Sequence, residues 1–211
     1  MRKTSFEQRR RQLLGLIGAI PLGVSARPGL MTPAQTEGPF YPVQEQRDKD
    51  LDLTQIRGSK RKAQGRVIQI QGAVLSSQGA VLQDAVVEIW QANTWGRYHH
   101  PRDPNVRARL DPHFQGWGEV LTGPKGEFRF KTIYPGIYPA GPGWLRPPHI
   151  HFKVRKSGFA NLTTQMYFPA EKLNRSDFIL QNIAKDQQHM LIAKAGEDAD
   201  TFLFSIILAS S

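Results

Sequence analysis

From Arg66 onward, apolar and polar residues alternate in short runs separated by turn residues. "RVIQIQGAVL" (66–75) alternates and stops at the turn "SSQG". "AVVEIWQA" (85–92) is the next β-rich run, and "GEFRFKTI" (126–133) follows the turn "TGPKG" with Phe128 and Phe130 on one face. "HIHFKVRK", "LTTQMYF" and "TFLFSIIL" complete a set of six. Side chains at i and i+2 share one face of a strand, so each run offers one apolar face to a core. Six short strands joined by turns predict a mainly β protein, an antiparallel β-sandwich. Two stretches break the pattern, Thr94 to Leu110 and Tyr134 to Pro148. Long loops of this kind usually carry function. A short helix is expected between residues 170 and 190.

The first 65 residues are different in kind. Arg9, Arg10 and Arg11 precede an apolar run, Leu13 to Val24, too short to span a bilayer comfortably. "VSA" then closes residues 1–26 with the small-x-small pattern of a cleavage site. "RRQLL" resembles a twin-arginine export signal, so the chain is expected to be exported folded, to a periplasm, without stable membrane insertion after processing. Residues 27–65 read as an arm and connection, with "TEGPFYP" in the arm and a charged surface stretch from 44 onward. Asp48, Asp50 and Asp52 have calcium-loop spacing, but Leu53 and Ser59 stand where such a loop needs Gly and Glu. A solvated face is the better reading. Residues 66–211 form the expected β-sandwich domain.

Composition narrows the chemistry. There is no cysteine among the 211 residues, which excludes disulfides, thiolate metal sites and a cysteine nucleophile. The net charge is +10, but five Lys/Arg and one Glu in the first 26 residues account for +4 of it. The remainder shows no basic block with interleaved aromatics, so no nucleic-acid partner is expected. The candidate chemistry lies in "RPPHIHFKVRK". His149 and His151 share one strand face, while Ile150, Phe152 and Val154 point the other way. Two imidazoles so placed are either a solvated polar face or a metal pair. The two long loops each carry a tyrosine, Tyr98 in "NTWGRYHHPRD" and Tyr138 in "YPGIYPAGPGWLRPPHIHF".

Taken in order, "TEGPFYP", "KAQGRVIQIQGAVL", "AVVEIWQANTWGRYHH", "LDPHFQGWGEVLTGPKGEFRFKTIYPGIYP", "WLRPPHIHF" and "TTQMYF" resemble the intradiol ring-cleavage dioxygenases, most closely the protocatechuate 3,4-dioxygenase-like branch. The resemblance covers roughly residues 36 to 168. It implies a non-haem Fe(III) cofactor held by Tyr98, Tyr138, His149 and His151, with Tyr138 and His151 axial. It further implies cleavage of a catechol-type ring between its hydroxyl-bearing carbons with O2, giving a cis,cis-muconate-type diacid. Tyr138 would leave the metal and take up a catechol proton. Arg146 matches the residue beside the reacting ring carbon, where a fixed guanidinium stabilises anionic charge. Gln165 resembles a supporting glutamine of the family. Trp144 and Ile137 are candidate pocket residues, as are Pro39 and Tyr41 in the arm. His99, His100, His113 and His189 match no ligand position.

The chain departs from the family at the second histidine of "GRYHHPRD", in its export signal, and in lacking length for the helical segment of the catechol 1,2-dioxygenase branch. A homo- or hetero-oligomer remains open on this reading. Two rival readings stand beside it. A transthyretin-like or carboxypeptidase-regulatory β-sandwich would share the strand pattern but need neither tyrosine nor His-x-His. A zinc hydrolase would need a further ligand, for which Asp103 is available.

Overall fold

The longest alternating run forms the longest strand, β1 (Val67–Ser76). In the computed structural model, which describes residues 30–43 and 48–211, this strand organises one sheet. The expected export segment 1–26 lies outside the described residues, as do 27–29 of the arm and 44–47 of the connection. Ten further strands follow: β2 (Val86–Trp90), β3 (Trp117–Leu121), β4 (Glu127–Ile133), β5 (Tyr138–Gly141), β6 (Trp144–Arg146), β7 (His149–Arg155), β8 (Leu162–Tyr167), β9 (Lys194–Ala195), β10 (Thr201–Leu203) and β11 (Ile206–Leu208). A one-turn helix, α1 (Phe178–Gln181), lies in the region where a short helix was expected.

The first sheet runs β11-β1-β10-β9, with β4 along the other edge of β1. The second runs β3-β2-β7-β8 and is antiparallel throughout. Ile68, Ile70, Val74, Phe128 and Phe130 from the first meet Val87, Ile89, Ile150, Phe152, Val154 and Met166 from the second in one core. This is the expected sandwich, with one difference. The last run pairs with β1 in parallel rather than antiparallel, because a long connection brings it in alongside. It also splits in two at Phe204. There its carbonyl presses on Gly72, where a Cβ would sit 1.8 Å from the Phe204 oxygen. Only glycine lets the strands pass so closely.

Two strand regions escape the hydrophobic pattern. In β3, "WGEVL" is interrupted by Gly118, which leaves room for Leu53. The small β5–β6 hairpin is made of strands too short and too rich in Pro and Gly to alternate visibly. The charged connection is not wholly at the surface. Leu53 and Thr54 are buried, and the chain there bonds to β4 through Leu53 N–H to the Lys131 carbonyl at 2.8 Å. Asp52 pairs with Lys131 and Asp48 with Arg57, so these acids serve separate contacts. Among the described residues no helix is long and apolar enough to cross a membrane.

Candidate metal centre

Strand alternation divides β7 between two tasks. Ile150, Phe152 and Val154 fill the core, while His149 and His151 emerge on the opposite face of the second sheet and are nonetheless buried. Their cross-strand partners extend that face. His151 lies opposite Trp90 and Gln165, and His149 opposite Tyr167. Loops, the β5–β6 hairpin and the N-terminal arm cover it.

The two long loops deliver the tyrosines. Gly96 has φ of +74°, and a Cβ there would lie 2.0 Å from the Ile137 carbonyl oxygen. Glycine thus permits direct backbone contact between the loop carrying Tyr98 and the hairpin carrying Tyr138. Asp103 shapes the first loop by accepting from the backbone N–H of Tyr98 at 2.6 Å and of Asn105 at 2.8 Å. Its carboxylate therefore serves the loop backbone. Tyr98 and Tyr138 come to rest edge-on, with ring centroids 5.5 Å apart.

Four donor atoms converge. His149 Nε2 lies 3.4 Å from both the Tyr98 and Tyr138 Oη, and His151 Nε2 lies 3.1 Å from Tyr98 Oη. With bonds of about 2.0–2.2 Å, ligands adjacent on one ion stand about 2.8–3.4 Å apart. The separations fit a shared metal. His149 Nδ1–H donates to the Pro147 carbonyl at 2.6 Å, which leaves Nε2 as the free donor pair, as metal-bound histidines require. His151 is held flat against Trp90, centroids 4.8 Å apart and planes 14° from parallel. Among the described residues no three His, Cys, Asp or Glu side chains gather for a metal.

Electrostatics agree with the geometry. Burial pushes both imidazoles well below their ordinary range, with the Arg146 charge adding, so both rings are neutral and each keeps one unprotonated nitrogen. Burial likewise raises the Tyr98 phenol well above its usual value, helped by Tyr138, and raises that of Tyr138 against the pull of Arg146. Without a cation both phenols keep their protons. A bound cation supplies the charge that draws them off.

Beside the donors, Arg146 pairs across the hairpin with Tyr138 and is almost fully buried. Its Nε donates to Asp177 at 3.0 Å, and its Nη2 to Gln165 Oε1 at 2.6 Å and Tyr167 Oη at 3.3 Å. Its Nη1 makes no hydrogen bond to the described residues. Gln165 also donates to the Thr36 carbonyl at 3.0 Å, tying the arm to this cluster. Further along the arm, Phe40 lies 4.8 Å from the Tyr98 ring, and Tyr41 donates to the buried Glu88 at 2.7 Å. Arg155 also pairs with Glu88.

The remaining candidates fall further out. Trp144 is half-buried and donates to Asp177 at 3.3 Å. Ile137 is 47% exposed, and Pro39 is exposed. His99 and His189 are exposed, whereas His100 is buried against Phe40. Reading the sequence missed Asp177, Tyr167 and Glu88. The one available signal for Asp177 was an acid just before an apolar run, the signature of a helix cap.

Comparison with known proteins bears on this arrangement. A family model described as Dioxygenase matches residues 36–209. The protocatechuate 3,4-dioxygenase beta chain of Burkholderia cepacia is 39% identical over 163 residues, covering 76% of this chain and 69% of that protein. A chlorocatechol 1,2-dioxygenase of Cupriavidus pinatubonensis is 29% identical over 186 residues, covering 76% of this chain and 62% of that enzyme. Among solved structures, the dioxygenase domain of a dioxygenase carbohydrate-binding protein fusion from Streptomyces sp. SirexAA-E superposes with a TM-score of 0.64 at 27% identity, covering 86% of this chain and 99% of that one. The family model spans most of the chain, including both tyrosines and both histidines, and the chain therefore belongs to the dioxygenase family, that of the intradiol enzymes its motifs resemble.

Proposed function

We propose that this chain cleaves a catechol-type aromatic ring between the two hydroxyl-bearing carbons with O2, yielding a cis,cis-muconate-type diacid. We further propose that Fe(III) is its metal, held by Tyr98, Tyr138, His149 and His151. The convergence of four donor atoms at 3.1–3.4 Å supports this reading above all else. Phenolate is a hard anionic donor suited to a hard trivalent ion, and neutral imidazole adds no charge. Two phenolates and a hydroxide balance 3+. Bound there, iron would supply a Lewis-acidic centre that a diol can chelate and that makes the ring reactive toward O2.

The chain's own residues do the rest. Tyr138 Oη stands beside Arg146 and is the group to receive a proton from an incoming catechol hydroxyl. Arg146 is anchored on its Nε and Nη2 side, which leaves Nη1 free for a ring that acquires negative charge. A guanidinium holds its proton at any working pH. The Phe40 ring packs against both tyrosines, tilted on Tyr98 and edge-on to Tyr138.

Purified, iron-loaded protein is expected to be coloured, because phenolate bound to Fe(III) absorbs in the visible. An anaerobic titration with catechol, protocatechuate and hydroxyquinol should shift that band for the true substrate class. Admitting O2 should then release a ring-opened diacid. Tyr98→Phe or Tyr138→Phe should move or weaken the band in a folded protein. A colourless iron-loaded wild type would refute the tyrosinate assignment. We also propose export by the twin-arginine route, on the strength of Arg9 to Arg11 and the apolar run behind them. Replacing Arg10 and Arg11 by Lys should hold the protein in the cytoplasm, and export from a strain lacking that translocase would overturn the proposal.

A further inference from the structure

The carboxylate of Asp177 is fully buried, and Arg146, which it faces, is almost so. Its Oδ1 accepts from Arg146 Nε at 3.0 Å and from Trp144 Nε1 at 3.3 Å. Its Oδ2 lies 3.4 Å from Arg146 Nη2 and 3.4 Å from the Leu180 backbone N–H. The last contact caps α1, but α1 has only four residues, and Ser or Asn would cap it as well. A charged cap with no access to water is costly unless another charge pairs with it. The cap alone therefore does not account for a carboxylate here.

We propose that Asp177 is the positioning residue for Arg146, selecting which guanidinium nitrogen faces the metal donors. This rests on the reading of Arg146 given above. An arginine side chain turns about several bonds, and its planar fork is useful only in one orientation. Asp177 engages the Nε–Nη2 edge in the two-point manner that fixes the plane of the fork. Gln165 and Tyr167 hold Nη2 from the other side. Nη1 is thereby directed away from all three. The same Oδ1 fixes the Trp144 indole, whose ring lies 5.8 Å from the guanidinium carbon and 5.2 Å from the exposed Phe178. One carboxylate thus orients both the Arg146 charge and the Trp144 indole beside it.

The test is a double-mutant cycle. Asp177→Asn keeps size and capping but removes the charge and one acceptor. It should load iron, show the wild-type visible band and bind catechol within a few-fold of wild type. Single-turnover decay of the catechol complex on adding O2 should slow by about 10–100-fold, the usual cost of losing a supporting partner of a site residue. In an Arg146→Lys background the same change should alter decay by less than about twofold, because its target is already gone. In metal-free protein, the two substitutions together should lower the melting midpoint by less than the sum of their separate effects. Asp177→Ser, a good cap without charge, serves the same cycle if the Asn variant does not fold. Wild-type decay in Asp177→Asn overturns the proposal. So does an equal slowing in both backgrounds, which marks a purely structural residue, or additive melting shifts. If wild type itself gives no coloured catechol complex or no diacid, the functional reading falls and takes this one with it. Failure of Asp177 alone leaves that reading standing.

Discussion

Gly96 is the point where the two tyrosine loops touch, and replacing it by alanine tests whether that contact sets the site. The new Cβ would lie 2.0 Å from the Ile137 carbonyl oxygen. Carbon–oxygen contacts settle near 3.3–3.6 Å, so the loops must part by roughly 1.3 Å or more. The left-handed φ of +74° adds strain for any side chain, about 1–2 kcal/mol. Overpacking adds about 1–3 kcal/mol, so the total loss is about 2–5 kcal/mol. The fold should survive, since Gly96 lies outside the core. The site should not. A misplacement of about 1 Å can lower a rate by about 10²-fold. Donors now 3.1–3.4 Å apart would no longer all reach one ion. Iron titration of metal-free Gly96→Ala, followed by the visible band and by thermal melting, should show weakened binding in a folded protein. Binding equal to wild type, with the same spectrum, would refute the idea that this backbone contact sets the tyrosine spacing.

Other consequences are open to direct measurement. Ile150→Ala removes a fully buried side chain between the two histidines and should cost about 2–5 kcal/mol in denaturant unfolding while leaving iron affinity nearly unchanged; matched loss of both would contradict the separation of core from site. Stripping the metal with a chelator should leave the β-sheet circular dichroism spectrum intact and lower stability by about 2.7–4.1 kcal/mol, as expected for a ligand present at 100–1,000 times its Kd. Burial and the neighbouring Glu88 carboxylate push the Tyr41 hydroxyl up to about 12, from an ordinary value near 10. The folded state favours its neutral form, so the arm's attachment is whole below about pH 10 and lost as pH rises through about 12. Limited proteolysis across that range should release the arm in wild type, with Tyr41→Phe removing the pH step; identical profiles would sink the assignment.

Much of this site is readable from residue order because its donor residues obey local rules. His149 and His151 share a face by strand alternation, and the motifs around Tyr98 and Tyr138 mark them before any contact is known. The six alternating runs likewise foretell the two sheets, since one buried face is enough to impose a period of two. What stays hidden is what depends on distant pairing. Asp177 meets Arg146 across 31 residues, and Glu88 meets Tyr41 from well before it in sequence and Arg155 from well after it. A single acid in "RSDFIL" or "VVEIW" carries no mark of its partner. Parallel insertion of the last run beside β1 is hidden for the same reason. Leu53 is buried despite its charged neighbours because Gly118, 65 residues later, leaves it a space.

The alternation along β7 also bears on how such a protein can change over time. Odd positions, His149 and His151, face the tyrosine hydroxyls; even positions, Ile150, Phe152 and Val154, face the core. Neighbouring codons thus answer to different selective demands. The apolar set can drift among residues of similar volume without disturbing the histidines, and the loops above them can be rebuilt without reopening the core. The hairpin, the arm and the region around Phe178 can be altered in the same way, since none of them contributes to the packed interior. A scaffold wired this way can diversify its substrates while its folding problem stays solved.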